Sequence, residues 1–373
     1  MTSKLYQKIS KAKRIVIKVG SSSLTSHSGS IDVARLNALV DEIAKKKKLG
    51  ADIVLVSSGA IAAALAPLGL KSRPRDLIMQ QAAASVGQGL LVHRYTERFA
   101  SHNIVAGQIL LTSEDISRRS HYRNAIRTFN QLFELDVIPI VNENDTVATE
   151  EIRFGDNDRL AALVANLVQA DLLLLLSDVE GLFDKSPSQP DAKLISEVRN
   201  FQDIAEVKVG NESGSKLGSG GMLTKLTAAK IAAAAGICVV LTDAKNLAKA
   251  LKGEAVGTLF HPASDRQSAR ALWLAHASVV MGSVVVDRGA ERALLKDRAS
   301  LLAAGIKSVT GDFAVGDVIS VLNESQKVIA RGLVNFDSVE LPKIIGKTSK
   351  KIIEQLGEGL VREVIHRDDL VLI

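Results

Sequence analysis

The sequence predicts a three-layer α/β sandwich around a largely parallel open sheet, followed by a small β-rich domain. Three observations point there. From Lys13 to Phe260, short apolar runs ending in small polar residues alternate with helical patterns. That alternation builds βαβ units and a parallel sheet. The run Leu172–Leu176 is unbroken leucine, as in a strand buried on both faces. After Ser278 the text turns to short, glycine-punctuated strand-like runs. The expected division is a first domain over 1–260, a connector over 261–277 and a second domain over 278–373.

The elements follow in order. Lys13–Gly20 reads as a strand with Lys18 near its C-terminal end, and Gly20-Ser21-Ser22-Ser23 is a turn of small residues that lets backbone N–H groups approach an anion. A helix is expected over Asp32–Lys48, with the basic run Lys45–Lys48 forming a solvated C-terminal face. A second strand-turn-helix unit runs from Ala51 through Ser57-Ser58-Gly59-Ala60 into Ile61–Leu65, where the serines serve either as helix caps or as ligands to a carboxylate or phosphate. Helical text covers Gln80–Phe99, a strand Ile104–Leu111, and Thr112–Asp115 opens an arginine-rich helix.

Asp136–Asn166 carries the densest polar chemistry. The buried-strand pattern Val137–Val141 ends in Asn142-Glu143-Asn144-Asp145, and a second cluster, Gly155-Asp156-Asn157-Asp158, opens the next helix. Turn chemistry accounts for either cluster alone. Two clusters bracketing a short segment, beyond the carboxyl end of a strand, favour a polar ligand site. After Ser177-Asp178, residues 191–206 read as irregular and then helical. The glycine-rich run Ser213–Gly221 leads through Met222-Leu223-Thr224-Lys225 into an alanine-rich helix. A glycine-rich loop, a lysine and a helix start form a phosphate grip or a plain linker. The Walker A spacing is absent. Strands follow at Val239–Thr242 and Gly257–Phe260, then Val279–Val286, Val315–Leu322, Val328–Leu333 and Leu370–Ile373, with a helix near Ala290–Leu295.

Composition narrows the classes. A chain of 373 residues with 46% apolar and 24% charged residues has the make-up of a globular protein with proper cores. A formal charge of +6 permits nucleic-acid contact without arguing for it. The single cysteine, Cys238, lies in an apolar run and reads as core, which excludes an intrachain disulfide. No apolar run is long enough for a membrane span, and a cytoplasmic location is expected.

The motifs Val19-Gly20-Ser21-Ser22, Ser57-Ser58-Gly59-Ala60, Asn142-Glu143-Asn144-Asp145, Gly155-Asp156-Asn157-Asp158 and Gly220-Gly221-Met222-Leu223-Thr224-Lys225, in this order, resemble the glutamate-phosphorylating branch of the amino-acid kinase family. The tail, with Gly305–Gly311 and His366–Asp369, resembles that branch's PUA domain. The resemblance implies the amino-acid kinase fold and transfer of phosphoryl from ATP to the side-chain carboxylate of L-glutamate. The product would be γ-glutamyl phosphate, at the first step of proline synthesis. It assigns Lys18, Lys225 and Asp158 to catalysis and Ser58, Asp145 and Asn157 to glutamate. It assigns Lys18, Ser177, Asp178, Ser219, Gly220, Gly221, Met222, Leu223, Thr224 and Lys225 to the nucleotide, with Mg2+ arriving on ATP and no protein metal site. It further implies feedback inhibition by L-proline, a homo-oligomer, and γ-glutamyl phosphate reductase as the enzyme taking the product, with no membrane partner. RNA binding by the PUA domain stays open. Ser57, Arg153 and Ser177 stand where the family more often has Thr, Lys and Thr; Arg153 alters donor geometry. The alternatives are an acetylglutamate, aspartate or UMP kinase of the same family, an RNA-binding protein, or a catalytically silent regulator.

Overall fold

Strand β1 (Arg14–Val19) lies inside the first sheet, with β2 (Asp52–Ser57) parallel to it on one side and β5 (Leu172–Ser177) parallel on the other. The computed structural model describes residues 2–26, 29–112, 115–116, 119–146, 157–189, 191–204, 221–263, 274, 280–356 and 361–373. It divides into two units, Met1–Ala269 and Arg270–Ile373. The first sheet also contains β3 (Ala106–Leu111), β4 (Ile138–Glu143), β6 (Glu197–Val198), β7 (Cys238–Asp243) and β8 (Thr258–Phe260). Among the described residues its order is β3-β4-β2-β1-β5-β7-β8-β6. All neighbours are parallel except β7 and β8. The chain therefore leaves β1 in one direction to build β2, β4 and β3, then returns to its other side with β5. That reversal is a topological switch point, where ligands bind beyond the strand ends.

Two-residue periodicity decides what β1 offers each face. Ile15, Ile17 and Val19 enter a core with Leu36, Val40 and Ile43 of α3 (Val33–Lys48) and Leu91, Tyr95 and Phe99 of α5 (Leu77–Ala100). Val16 and Lys18 alternate to the opposite face. There α7 (Asn157–Leu167) packs on β1, and α8 (Met222–Ala234) packs on α7. The layers are thus helices, sheet, helices. Strand β5 is buried along its whole length, as its leucines require. Of the remaining helices in this unit, α1 (Thr2–Ser10) and α2 (Ser21–Leu24) flank β1, α4 (Ala60–Leu65) follows β2 and α6 (Arg119–Glu134) precedes β4.

Several expectations are corrected. The basic run is only partly a solvated face: Lys47 is buried and pairs with Asp136 (Nζ–Oδ1 2.6 Å), and Lys46 Nζ donates to the Ser10 carbonyl at 2.8 Å. Helical text after Asp191 yields β6 and a 3-10 turn, Phe201–Ile204, because Glu197 and Val198 pair with β8. Residues 205–206 and most of the 261–277 connector lie outside the described residues.

The second unit has its own sheet: β9 (Gly282–Val286), β10 (Ile306–Gly311), β11 (Val318–Leu322), β12 (Val328–Leu333) and β13 (Leu370–Leu372), in the order β10-β9-β11-β12-β13. Its β9–β11 pair is parallel and the others are antiparallel. Val284, Ile319, Val321 and Phe336 are central to its core. The helices Leu341–Ile344 and Ser349–Leu356, and strand β10, have no counterpart in the sequence reading. Strand β11 begins at Val318, later than the apolar run that announces it.

One contact in the first unit sets the position of the loop after β2. Gly87 of α5 faces the start of α4, and a Cβ there would lie 1.7 Å from the Ala60 carbonyl oxygen. Backbone must move to admit it. Gly87→Ala is expected to destabilise the protein by about 1–3 kcal/mol, as overpacking does. A denaturant midpoint equal to wild type would show that α4 yields freely.

Candidate active site

The carboxyl ends of β1, β2, β4 and β5 bring together most of the residues singled out from the sequence. Asp158 is the second residue of α7, fully buried beneath the end of β1. Lys18 Nζ lies 2.6 Å from its Oδ1, and Lys225 Nζ lies 3.4 Å from its Oδ2. Thr224 Oγ1 lies 2.8 Å from Asp158 Oδ2 and 2.8 Å from the Gly221 carbonyl oxygen, two acceptors for its single proton. Lys18 and Lys225 are themselves buried. One carboxylate thus holds two ammonium groups, one at each oxygen.

The electrostatics follow from that geometry. Burial pushes the Asp158 carboxyl up, but attraction from Lys18 and Lys225 and hydrogen bonds from Lys18 and Thr224 outweigh it. The net position is below the usual carboxylate range. Burial pushes the Lys225 ammonium down; Asp158 opposes this, Lys18 adds to it, and Asp178 pulls the other way, with a lowered net value. The side chain of Asp178 is therefore within electrostatic reach of Lys225.

A second group sits beside this one. Asn157 Nδ2 donates to Ser58 Oγ at 3.0 Å and to Asn142 Oδ1 at 2.8 Å, and Asn142 Oδ1 also accepts from the Glu143 N–H at 2.9 Å. That network orients the amide and leaves Asn157 Oδ1 buried without a hydrogen-bond partner among the described residues. Ser58, Asn142, Asp145 and Asn157 line one pocket, together with Thr25, Gly59 and Arg73. Burial pushes the Asp145 carboxyl up to about 6, against the attraction of Arg73. The adjacent Asn157 and Asp158 join the pocket to the lysine pair.

Ser57 and Ser58 divide their work. Ser57 Oγ is 2.8 Å from Tyr95 OH and donates to the Ser58 carbonyl, so its hydroxyl faces the core. Neither serine caps α4; its N-cap is Gly59, at φ 113°, a conformation that favours glycine. Ser177 Oγ donates to Asp178 Oδ1 at 3.2 Å, and both border a cavity of about 550 Å³ with Ser22, Ser23, Asp243 and Lys245.

The residues present suit phosphate groups. Gly221 is the N-cap of α8 and offers no side-chain cap, so no N-cap side chain competes with an anion for the first-turn N–H groups. At Gly20 a Cβ would lie 3.6 Å from Lys18 Nζ, in the space an anion would take. Met222 and Leu223 occupy the first turn of α8, and Leu223 is exposed. Ser219, Gly220, Gly155, Asp156 and Arg153 lie outside the described residues. No group of three or more His, Cys, Asp or Glu suited to a metal occurs among the described residues. Arg73 escaped the sequence reading: it lies between α4 and α5 in Ser72-Arg73-Pro74, with no motif around it.

Replacing Asp158 by Asn would leave two buried ammonium groups without their shared counter-charge. Breaking a buried pair in this way costs about 3–5 kcal/mol. Because the folded carboxyl titrates below its unfolded value of about 3.9, its stabilisation is present above that value. It is lost as pH falls through the lower, folded value. Asp158→Asn should lower the urea midpoint at pH 7 and remove this acid-dependent component. An unchanged midpoint would mean the lysines are compensated elsewhere.

Residues 13–243 match the amino acid kinase family, and residues 282–356 match the PUA domain. Glutamate 5-kinase of Streptomyces coelicolor (strain ATCC BAA-471 / A3(2) / M145) is 56% identical over 98% of both chains. The glutamate 5-kinase of Thermobifida fusca (strain YX) is 52% identical, over 98% of this chain and 94% of its own. Among solved structures, carbamate kinase from Giardia lamblia bound to AMP-PNP aligns with 68% of this chain and 99% of its own, at 17% identity and a TM-score of 0.50. That likeness is one of fold.

Proposed function

The chain belongs to the amino acid kinase family, and from that premise we propose that it transfers the γ-phosphoryl group of ATP to the side-chain carboxylate of L-glutamate. The product is γ-glutamyl phosphate, and the step opens L-proline biosynthesis. The observation that carries this reading is the 56% identity to a glutamate 5-kinase over 98% of both chains. The lysine pair on Asp158 and the adjoining polar pocket supply the chemistry it requires.

The nucleophile is the substrate's own γ-carboxylate oxygen. With an ordinary value near 4.3 it is ionised at neutral pH, so no general base is needed. A bond forms from that oxygen to the γ-phosphorus while the bond to the ADP oxygen breaks, and ADP leaves with the electron pair. The protein's task is positioning and charge. Lys18 and Lys225 present ammonium groups at the two oxygens of Asp158, which fixes their positions and prevents them from drifting to solvent. They face the charge that spreads over the phosphoryl oxygens. Ser177, Asp178 and the Ser219–Lys225 segment serve the nucleotide side, while Ser58, Asp145 and Asn157 hold glutamate. Magnesium bound with ATP supplies further neutralisation of the β- and γ-phosphates.

The direct test is glutamate- and ATP-dependent hydroxamate formation, with hydroxylamine trapping the acyl phosphate. No hydroxamate above background would exclude the reaction. Residue roles separate in steady-state kinetics. Lys225→Met removes a cation that acts in the transition state, and kcat should fall about 100- to 1000-fold. Asp145→Asn removes a charge-assisted hydrogen bond to the substrate ammonium, and KM for glutamate should rise about 10- to 150-fold with KM for ATP spared. Since Asp145 titrates near 6, the wild-type KM should also rise as pH falls through about 6, and this acid limb should vanish in Asp145→Asn. A loss confined to KM in Lys225→Met, or to kcat in Asp145→Asn, contradicts these assignments.

L-proline, in the same reading, competes for the glutamate pocket as the end product. Double-reciprocal plots against glutamate should then meet on the rate axis. Proline-insensitive rates at subsaturating glutamate would exclude it.

A further inference from the structure

Arg73 belongs to no motif, yet it shares the wall of the pocket that holds Ser58, Asn142, Asp145 and Asn157. Its side chain is half-buried. Its hydrogen bond runs from Nη2 to Gln80 Oε1 at 3.3 Å, a neutral acceptor. Among the described residues neither Arg73 nor Asp145 is held in an ion pair, although the two feel each other's charge. A cation and an anion thus face one pocket without neutralising each other. Leaving charges partly desolvated in this state is unfavourable unless a ligand completes both.

The pocket has direction. Asn157 is followed by Asp158, so the Asn157 side of the pocket adjoins the lysine pair. Arg73 hydrogen-bonds to Gln80 and supplies the only cationic side chain among the residues that line this pocket. An acidic amino acid brings three charges: a side-chain carboxylate for the lysine end, an α-ammonium and an α-carboxylate. Asp145 and the unpartnered Asn157 Oδ1 are acceptors and suit the ammonium. The remaining group is a carboxylate, and the remaining charge is a guanidinium. Its planar fork matches a carboxylate with two parallel hydrogen bonds.

We infer that Arg73 binds the α-carboxylate of the amino-acid substrate opposite Asp145, so that the pocket selects a free α-amino acid by both of its backbone charges. This rests on the glutamate reading above. It makes Arg73 a specificity-determining residue that touches substrate remote from the reacting oxygen. An N-acylated amino acid, lacking the ammonium, leaves Asp145 uncompensated, and an α-amide leaves Arg73 uncompensated.

The experiment compares L-glutamate with its α-carboxamide, which keeps the side-chain carboxylate and the ammonium and neutralises only the group assigned to Arg73. Wild type and Arg73→Met are assayed with both compounds by hydroxamate formation, beside thermal melts. Wild type should favour glutamate by about 10- to 100-fold in kcat/KM, the span of a charge-assisted pair. Arg73→Met should raise KM for glutamate by a similar factor and bring the two compounds within about threefold of each other. Arg73→Lys, which keeps the charge without the fork, should fall between and serves where Arg73→Met does not fold. A structural role would weaken both compounds alike and leave their ratio standing. An unchanged ratio, or a glutamate KM within about twofold of wild type, overturns the assignment. Wild type that forms no hydroxamate from glutamate overturns the reaction itself, which is a separate failure.

Discussion

A single buried carboxylate, Asp158, lies where three elements converge: the end of β1, the first turn of α7 and the first turn of α8. A carboxylate with no solvent exposure is tolerable only when opposite charge and hydrogen bonds surround it. Lys18, Lys225 and Thr224 meet that requirement, one from the strand and two from α8. The constraint is mutual. Two buried ammonium groups repel each other, and only the shared carboxylate lets them stay close. Strand, helix and helix are therefore registered to one another by an electrostatic condition as well as by apolar packing.

The sheet order explains why this condition falls at a site. Because β5 returns to the side of β1 opposite β2, loops from both halves of the chain open over the same carboxyl ends. The turn after β2 places Ser58 against Asn157, which follows β4 by a long excursion in sequence. Gly59 and Gly87 let the backbone of that turn sit close to α5, so α4 begins near the pocket.

The proposed reaction needs a phosphoryl-handling centre and an acceptor pocket. Here the two are physically adjacent and chemically distinct. The centre is built of paired, buried charges. The pocket carries an arginine and an aspartate outside any ion pair among the described residues, with a free amide oxygen between the two regions. An uncompensated charge pattern of that kind is a template for its ligand, since complementing it removes a desolvation penalty the free protein bears.

Much of this was readable in the chain. Alternation of apolar runs and helical patterns announced the parallel sheet, and the five leucines announced a fully buried strand, because burial on both faces leaves no polar position. Lys18, Ser57-Ser58, Asn142–Asp145, Gly155–Asp158 and Lys225 stand out as polar residues at strand ends and helix starts, while the choice of Ser58, Asp145, Asn157 and Asp158 within those clusters comes from the family resemblance. Other features depend on distance in space. The pairing of Lys47 with Asp136 overrode the solvated reading of a lysine run, and strand pairing with β8 turned helical text into β6. Ser57 looked equivalent to Ser58 until Tyr95, far along the chain, took its hydroxyl into the core. Arg73 had no local signal at all: its meaning lies in facing Asp145 across a pocket, and periodicity and spacing carry no information about which charges meet across a cavity.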